Sequence, residues 1–69
     1  MNPEKIDRKI KDLNEIRSIY KRDFGEIEKR YKNGEVSEDY FAKKKSKYDK
    51  KFEDIRKKIH NLELKRDTQ

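Results

Sequence analysis

The sequence predicts an all-α fold, an antiparallel two-helix coiled-coil hairpin with helices over about residues 3–33 and 38–65. Three observations lead to this prediction: apolar residues recur at seven-residue spacing, a glycine interrupts the repeat near its middle, and the same repeat then resumes. With 69 residues, the chain is expected to form one domain over residues 1–69. A charged fraction of 52% alone is compatible with disorder, but the ordered pattern favours long, ion-paired helices of thermophile-like composition.

The heptad repeat predicts which side chains join the two helices. Thirteen of its sixteen core positions are apolar or aromatic, although hydrophobic residues make up only 29% of the chain. We call these thirteen residues the seam: Ile6, Ile10, Leu13, Tyr20, Phe24, Ile27, Tyr31, Phe41, Tyr48, Phe52, Ile55, Ile59 and Leu62. The other three core positions are Arg17, Lys45 and Arg66, which are expected to bury their stems and keep their charged ends in water. Alternatively, such polar positions specify register or oligomeric state.

The first helix has a start signal and a stop signal. Asn2 is a good N-cap before Pro3, and Glu4 follows near the positive end of the helix dipole. Gly34 is suited to the left-handed conformation that ends a helix after Asn33. A first helix over about residues 3–33 follows.

The second helix is expected to begin at Ser37, a good N-cap followed by two acidic residues. Val36 and Phe41 have the spacing of a hydrophobic staple, which sets the direction of the chain as it enters a helix. Gly34, Val36 and Ser37 are therefore the predicted turn and cap residues between the helices.

The two halves of the repeat match in register when the chain folds back on itself. A turn centred near residue 36 places Tyr31 opposite Phe41 and Phe24 opposite Tyr48. In each pair an a position of the heptad on one helix faces a d position on the other, as antiparallel packing requires. The alternative is one continuous helix through Gly34, which would form a parallel dimer. The stop and start signals around Gly34 oppose it.

A single seam covers only one side of each helix, so self-association is expected. Four tyrosines and three phenylalanines would stay partly exposed, and Ile16, Ile19 and Leu64 flank the seam as further candidates for contact. The simplest assembly is a homodimer that forms a four-helix bundle. The alternative is an apolar stripe that binds another protein.

No residue pattern indicates catalysis, a cofactor or a metal site. Cysteine is absent, His60 is the only histidine, and no glycine-rich phosphate loop occurs. The carboxylates lie one helical turn from lysine or arginine, as Asp7 does from Lys11, which is typical of surface ion pairs. Without an apolar run of spanning length or a signal peptide after Met1, the protein is expected to be cytoplasmic and not in a membrane.

A lysine-rich stretch makes nucleic acid a second possible class of partner. The net charge is +6, and Lys43, Lys44, Lys47, Lys50 and Lys51 follow one another on the outer arcs of the second helix. Such a row could contact nucleic-acid phosphates without reading the base sequence. The alternative is a solvated helix face in which these lysines pair with nearby acids.

Residues 30–48 resemble the SHOCT (short C-terminal domain) family. That family has a helix ending in leucine or tyrosine, then Gly-x-Ile-Thr, an acidic pair, Phe, Lys and further hydrophobic residues. The matching positions here are Tyr31, Gly34, Val36, Ser37, Asp39, Phe41, Lys45 and Tyr48, and Tyr40 stands in place of the second acid. The resemblance implies a helix–turn–helix used for oligomerisation or interaction. The functional prediction is accordingly a non-enzymatic interaction module, small scaffold or adaptor, with nucleic-acid binding or regulation of a larger protein as alternatives.

Overall fold

The computed structural model describes residues 2–68, which form two antiparallel α-helices joined by a short turn. Helix α1 spans Pro3–Lys32 and helix α2 spans Glu38–Asp67. They pack along their whole length into a hairpin 51 Å long and 16 Å wide. The predicted hairpin is confirmed, and no strand occurs within the described residues.

The ends of α1 are closed by the predicted groups. The side chain of Asn2 accepts a hydrogen bond of 2.8 Å from the backbone N–H of Glu4. At the other end Gly34 has φ 75°, and its N–H donates to the carbonyl of Tyr31, while the N–H of Glu35 donates to that of Arg30. These two bonds form a Schellman motif, which satisfies the last carbonyls and turns the chain toward α2.

Helix α2 begins as predicted and ends two residues later than predicted. The Ser37 hydroxyl accepts from the backbone N–H of Tyr40 at 3.1 Å, and Val36 beside it is half-buried. At the C-terminus the Thr68 hydroxyl donates to the carbonyl of Lys65, and Arg66 donates to Asp7 of α1 at 2.8 Å. Both contacts lie at the two additional residues, which extend α2 to Asp67.

The aromatic side chains of the seam show the register of the hairpin. The rings of Tyr31 and Phe41 stack with centroids 4.3 Å apart, and those of Phe24 and Tyr48 lie 5.5 Å apart. Both pairs are the ones expected from a turn near residue 36. Tyr20 adds an edge-to-face contact with Tyr48 at 6.0 Å, so the aromatic rings form a continuous row next to the turn.

The seam is covered only in part. All thirteen seam residues are buried or half-buried, but only Ile6 and Ile55 are fully buried, at 0% and 5% exposure. The three cationic core positions are exposed. Lys45 directs its ammonium group to Asp49 of its own helix at 3.2 Å, although the repeat places it opposite Ile27. The ammonium group of Lys45 thus stays in water, although an apolar side chain at this core position of the repeat would be buried.

Candidate functional site

Two open grooves follow the seam near the open end of the hairpin, one on each face. The first, of about 460 Å³, is lined by Lys9, Asp12, Leu13, Lys58, Asn61, Leu62 and Lys65. It continues toward the turn past Ile16, Tyr20, Lys51, Asp54 and Ile55, because Leu13 and Lys58 line both parts. We call this side of the hairpin the lysine face. Its floor is apolar and its α2 rim is basic.

The rim is a row of four lysines at seven-residue spacing along α2. Lys44, Lys51, Lys58 and Lys65 lie on one side of the helix and span about 31 Å at 1.5 Å per residue. Two of them rest on aromatic rings: the ammonium group of Lys51 is 4.9 Å from the centroid of Tyr20, and that of Lys44 is 5.4 Å from that of Tyr40. Cation–π contacts therefore help to hold this row beside the seam.

The five lysines that the sequence predicts as possible nucleic-acid contacts lie in two different environments. Lys43, Lys47 and Lys50 are exposed, whereas Lys44 and Lys51 are half-buried members of the row just described. Within residues 2–68 the structure records no ion pair for any of these five side chains. The sequence reasoning missed Lys58 and Lys65, because it grouped lysines by nearness in the chain. Their seven-residue spacing is the signal that would have found them.

The second groove lies on the opposite face and has a different character. It is lined by Asp7, Ile10, Lys11, Asn14, Glu15, Ser18 and Arg66. Polar and charged side chains of both signs dominate this lining, and Ile10 is its one apolar member. Less apolar surface is exposed in this groove than in the first, although apolar atoms still form the larger part of its lining.

The exposed large hydrophobic residues are unevenly placed. Ile16 and Ile19, 40% and 46% exposed, lie one turn apart on the outer edge of α1. Leu64, at 50%, lies on α2 near the open end, and Tyr40, at 42%, lies beside the turn. The three predicted flanking residues therefore do not form one patch: Ile16 and Ile19 lie together, and Leu64 lies apart from them.

The surface ion pairs differ in detail from the expected ones. Asp7, which was expected to pair with Lys11, accepts from Arg66 of the opposite helix. This hydrogen bond raises the pKa of the Arg66 guanidinium above its already high ordinary value. On α2, the hydrogen bond from Arg56 lowers the pKa of Glu53. All four groups are exposed, so each pair contributes little to stability.

His60 and the acidic side chains are the remaining candidates for a metal site among the described residues. His60 is exposed on α2, and no group of three or more His, Asp or Glu side chains within residues 2–68 is placed to hold a metal ion. Over the same residues, neither helix is long and apolar enough to cross a membrane. The described surface contains an apolar groove with a lysine rim, and Ile16 and Ile19 lie exposed beside it.

Comparison with protein-family models, with curated proteins and with solved structures finds no significant match to this chain. The resemblance of residues 30–48 to the SHOCT family accordingly stays a prediction.

Proposed function

We propose that the protein is a non-enzymatic helical interaction module that self-associates and acts as a small scaffold or adaptor. The observation that supports this proposal most directly is the amount of surface left uncovered. The hairpin exposes 5611 Å² of accessible surface, whereas a compact monomer of 8.5 kDa exposes about 4,700 Å². The excess is on the order of 900 Å², which is close to the ~800 Å² that each partner buries in a standard interface.

The character of the uncovered surface also supports association. Eleven of the thirteen seam residues remain half-exposed, and eight of them are aromatic or leucine side chains. A second layer of helices would cover these side chains and convert a two-helix seam into the core of a bundle. The hairpin alone buries few residues, and a chain this short usually needs further burial to be stable, which a second layer of helices would supply.

Sedimentation equilibrium of the intact chain at micromolar concentration tests this proposal. We expect the mass of two 8.5 kDa chains, with helical circular dichroism that becomes more resistant to denaturant as protein concentration rises. A folded, helical species that stays monomeric over the same concentrations would contradict self-association.

Nucleic-acid binding is a second candidate, favoured by the unpaired lysines of α2. Within the described residues, Lys43, Lys47 and Lys50 are exposed and have no recorded acidic partner, and the row ending at Lys65 lies beside them. Together these side chains form a basic strip whose length suits a run of phosphates, and no side-chain arrangement suggests base readout.

Fluorescence anisotropy with duplex DNA and single-stranded RNA tests the second candidate. We expect sequence-tolerant binding at low salt, and replacement of Lys43, Lys47 and Lys50 by Gln should reduce the slope of log K against log salt by about 3. The control replaces the exposed Lys5, Lys11 and Lys32 of α1 by Gln, which removes equal charge elsewhere. Equal weakening by both variants, or no binding at all, would contradict a phosphate-binding strip on α2.

A further inference from the structure

The groove of the lysine face has the dimensions of a site for one more helix. Its lining runs from Lys9 to Tyr20 on α1 and from Lys51 to Lys65 on α2. At 1.5 Å per residue the α2 side is about 21 Å long, which equals about four turns of an α-helix. The groove lies between two packed helices, so a third helix can lie in it along the hairpin axis, as helices do in bundles.

The floor of this groove is apolar. Leu13, Leu62 and Tyr20 line it and are half-buried, and Ile55 beside them is buried. Ile16, which is 40% exposed, adds an apolar side chain to the α1 side of the groove. A bound helix would remove these side chains from water, which is favourable by roughly 25 cal/mol per Å² of apolar surface. The lining therefore suits an occupant with an apolar stripe.

The charged residues of the lining favour an acidic occupant. The two parts of the groove together have four lysines and two aspartates, whereas the groove on the opposite face has two basic and two acidic residues. Lys51, Lys58 and Lys65 lie on the α2 rim, and no ion pair is recorded for them within residues 2–68. Lys51 also lies over the ring of Tyr20, so its charge adjoins the apolar floor. A carboxylate bound there would be partly removed from water, where opposite charges attract more strongly.

The combination of floor and rim indicates a helix and not another anionic partner. Neighbouring rim lysines are seven residues, or about 10.5 Å, apart, which is also the repeat of one heptad position on a helix lying alongside. A nucleic-acid backbone is charged along its whole length, so it would leave the apolar floor uncovered. A lipid bilayer presents a flat surface, which contacts the rims of a groove between two helices and not its floor.

We propose that the lysine face binds an amphipathic α-helix of another protein, with apolar residues on the groove floor and acidic residues at seven-residue spacing against Lys51, Lys58 and Lys65. Asp12 lies on the α1 side of the groove, so the acids of the bound helix face α2. The lysine face of a second copy is a poorer occupant, because it has the same excess of positive charge. This inference rests on the proposed role as an interaction module and names its class of partner, and it does not require self-association.

Two synthetic peptides serve as probes of the groove. Both have about three heptads with leucine at the core positions, and they differ only in having glutamate or lysine at the flanking positions. Fluorescence anisotropy of each labelled peptide with the intact chain gives its dissociation constant. We expect the glutamate peptide to bind at least about tenfold more tightly than the lysine peptide, and its affinity to fall as salt is added.

Charge reversal on the rim tests the electrostatic part of the site. The rim variant combines Lys51→Glu, Lys58→Glu and Lys65→Glu. It should bind the glutamate peptide at least about tenfold more weakly, since three attractive pairs become repulsive, and it should bind the lysine peptide more tightly than the wild type does. A variant that had merely lost its structure would not gain affinity for the lysine peptide, and circular dichroism shows whether it remains helical.

The matched control changes the same charges on the outer side of α2. It combines Lys43→Glu, Lys50→Glu and Lys57→Glu, at three exposed lysines with the same seven-residue spacing. Because these side chains are not part of the groove lining, the control should alter the dissociation constant of either peptide less than about threefold.

Two neighbouring isoleucines test the apolar part of the site. Ile16 lines the groove, whereas Ile19, 46% exposed, lies on a different part of the surface with Glu15, Ser18 and Arg22. Ile16→Ala should weaken binding of the glutamate peptide about fivefold, because less apolar surface is buried, and Ile19→Ala should alter it less than about twofold.

Preference for the glutamate peptide that is reversed by the rim variant and kept by the control supports the inference. Equal binding of the two peptides, or equal weakening by the rim and control variants, overturns it. Vesicles of phosphatidylcholine and phosphatidylserine test the membrane alternative: if the rim variant loses vesicle binding but not peptide binding, the lysine face contacts a bilayer and the inference is wrong.

Sedimentation equilibrium without peptide separates this inference from self-association. A dimer that binds neither peptide overturns the inference and leaves the proposed self-association standing. A monomer that binds the glutamate peptide through the rim lysines supports the inference, although self-association then fails.

Discussion

Phe24→Ala is expected to lower the free energy of unfolding by about 3 kcal/mol, at the low end of the range for buried aromatic residues because Phe24 is half-buried. The ring of Phe24 lies 5.8 Å from that of Phe41 and 5.5 Å from that of Tyr48, both on the other helix. Its removal therefore breaks two aromatic contacts between the helices and leaves a gap beside the turn. Urea denaturation followed by circular dichroism, at one fixed protein concentration, measures the loss.

The control for this variant is Tyr40→Ala. Tyr40 is 42% exposed, and its recorded contact is the ammonium group of Lys44 above its ring. Its truncation is expected to cost less than about 1 kcal/mol, since little packed surface is lost. If Phe24→Ala also cost less than about 1 kcal/mol, the aromatic row would not be the centre of the hairpin.

Ile55→Ala is the second large effect, with an expected loss of about 2–4 kcal/mol. Ile55 is 5% exposed and lies among Leu13, Ile16 and Tyr20 of α1, so its truncation leaves a cavity that these side chains fill only in part. Domains of this size have a total stability on the order of 3–10 kcal/mol. The variant should therefore lose much of its cooperative thermal transition, which circular dichroism monitors.

A graded series distinguishes a cavity effect from a general loss of helix. Ile55→Val removes one methylene and is expected to cost about 1 kcal/mol. Leu64→Ala, at a residue 50% exposed on the same helix, should change the stability by less than about 0.5 kcal/mol. Similar losses at Ile55 and Leu64 would show that the seam is not the stabilising surface of the fold.

If the protein self-associates as proposed, the same apolar surfaces stabilise the hairpin and contact the partner. Among residues 2–68 only Ile6 and Ile55 are buried, so most apolar side chains there contact both the other helix and the solvent. Any partner that covers them stabilises the hairpin and is bound by it at the same time. For this reason the stability of the chain is expected to rise with its own concentration if the proposed dimer forms.

The sequence was sufficient to predict the hairpin because two local signals agreed with one long-range pattern. Gly34 and Ser37 mark the turn, and the heptad repeat on each side places Tyr31 opposite Phe41, the pair found stacked at 4.3 Å. The boundary of α2 was less accurate, since the helix continues to Asp67, where the Thr68 hydroxyl donates to Lys65 and Arg66 donates to Asp7 of α1. A contact between residues so far apart in the chain cannot be read from local propensity.

By itself the sequence determined the number of helices, their turn and the thirteen residues between them, because periodicity and capping are properties of neighbouring residues. Only the tertiary structure decided which charged groups meet and which apolar side chains stay uncovered. The ammonium group of Lys51 lies over the ring of Tyr20, Arg66 pairs with Asp7, and Ile16 and Ile19 are exposed whereas the seam residues beside them are half-buried or buried. These facts depend on the distance and rotation between two packed helices, and neither helix specifies these alone.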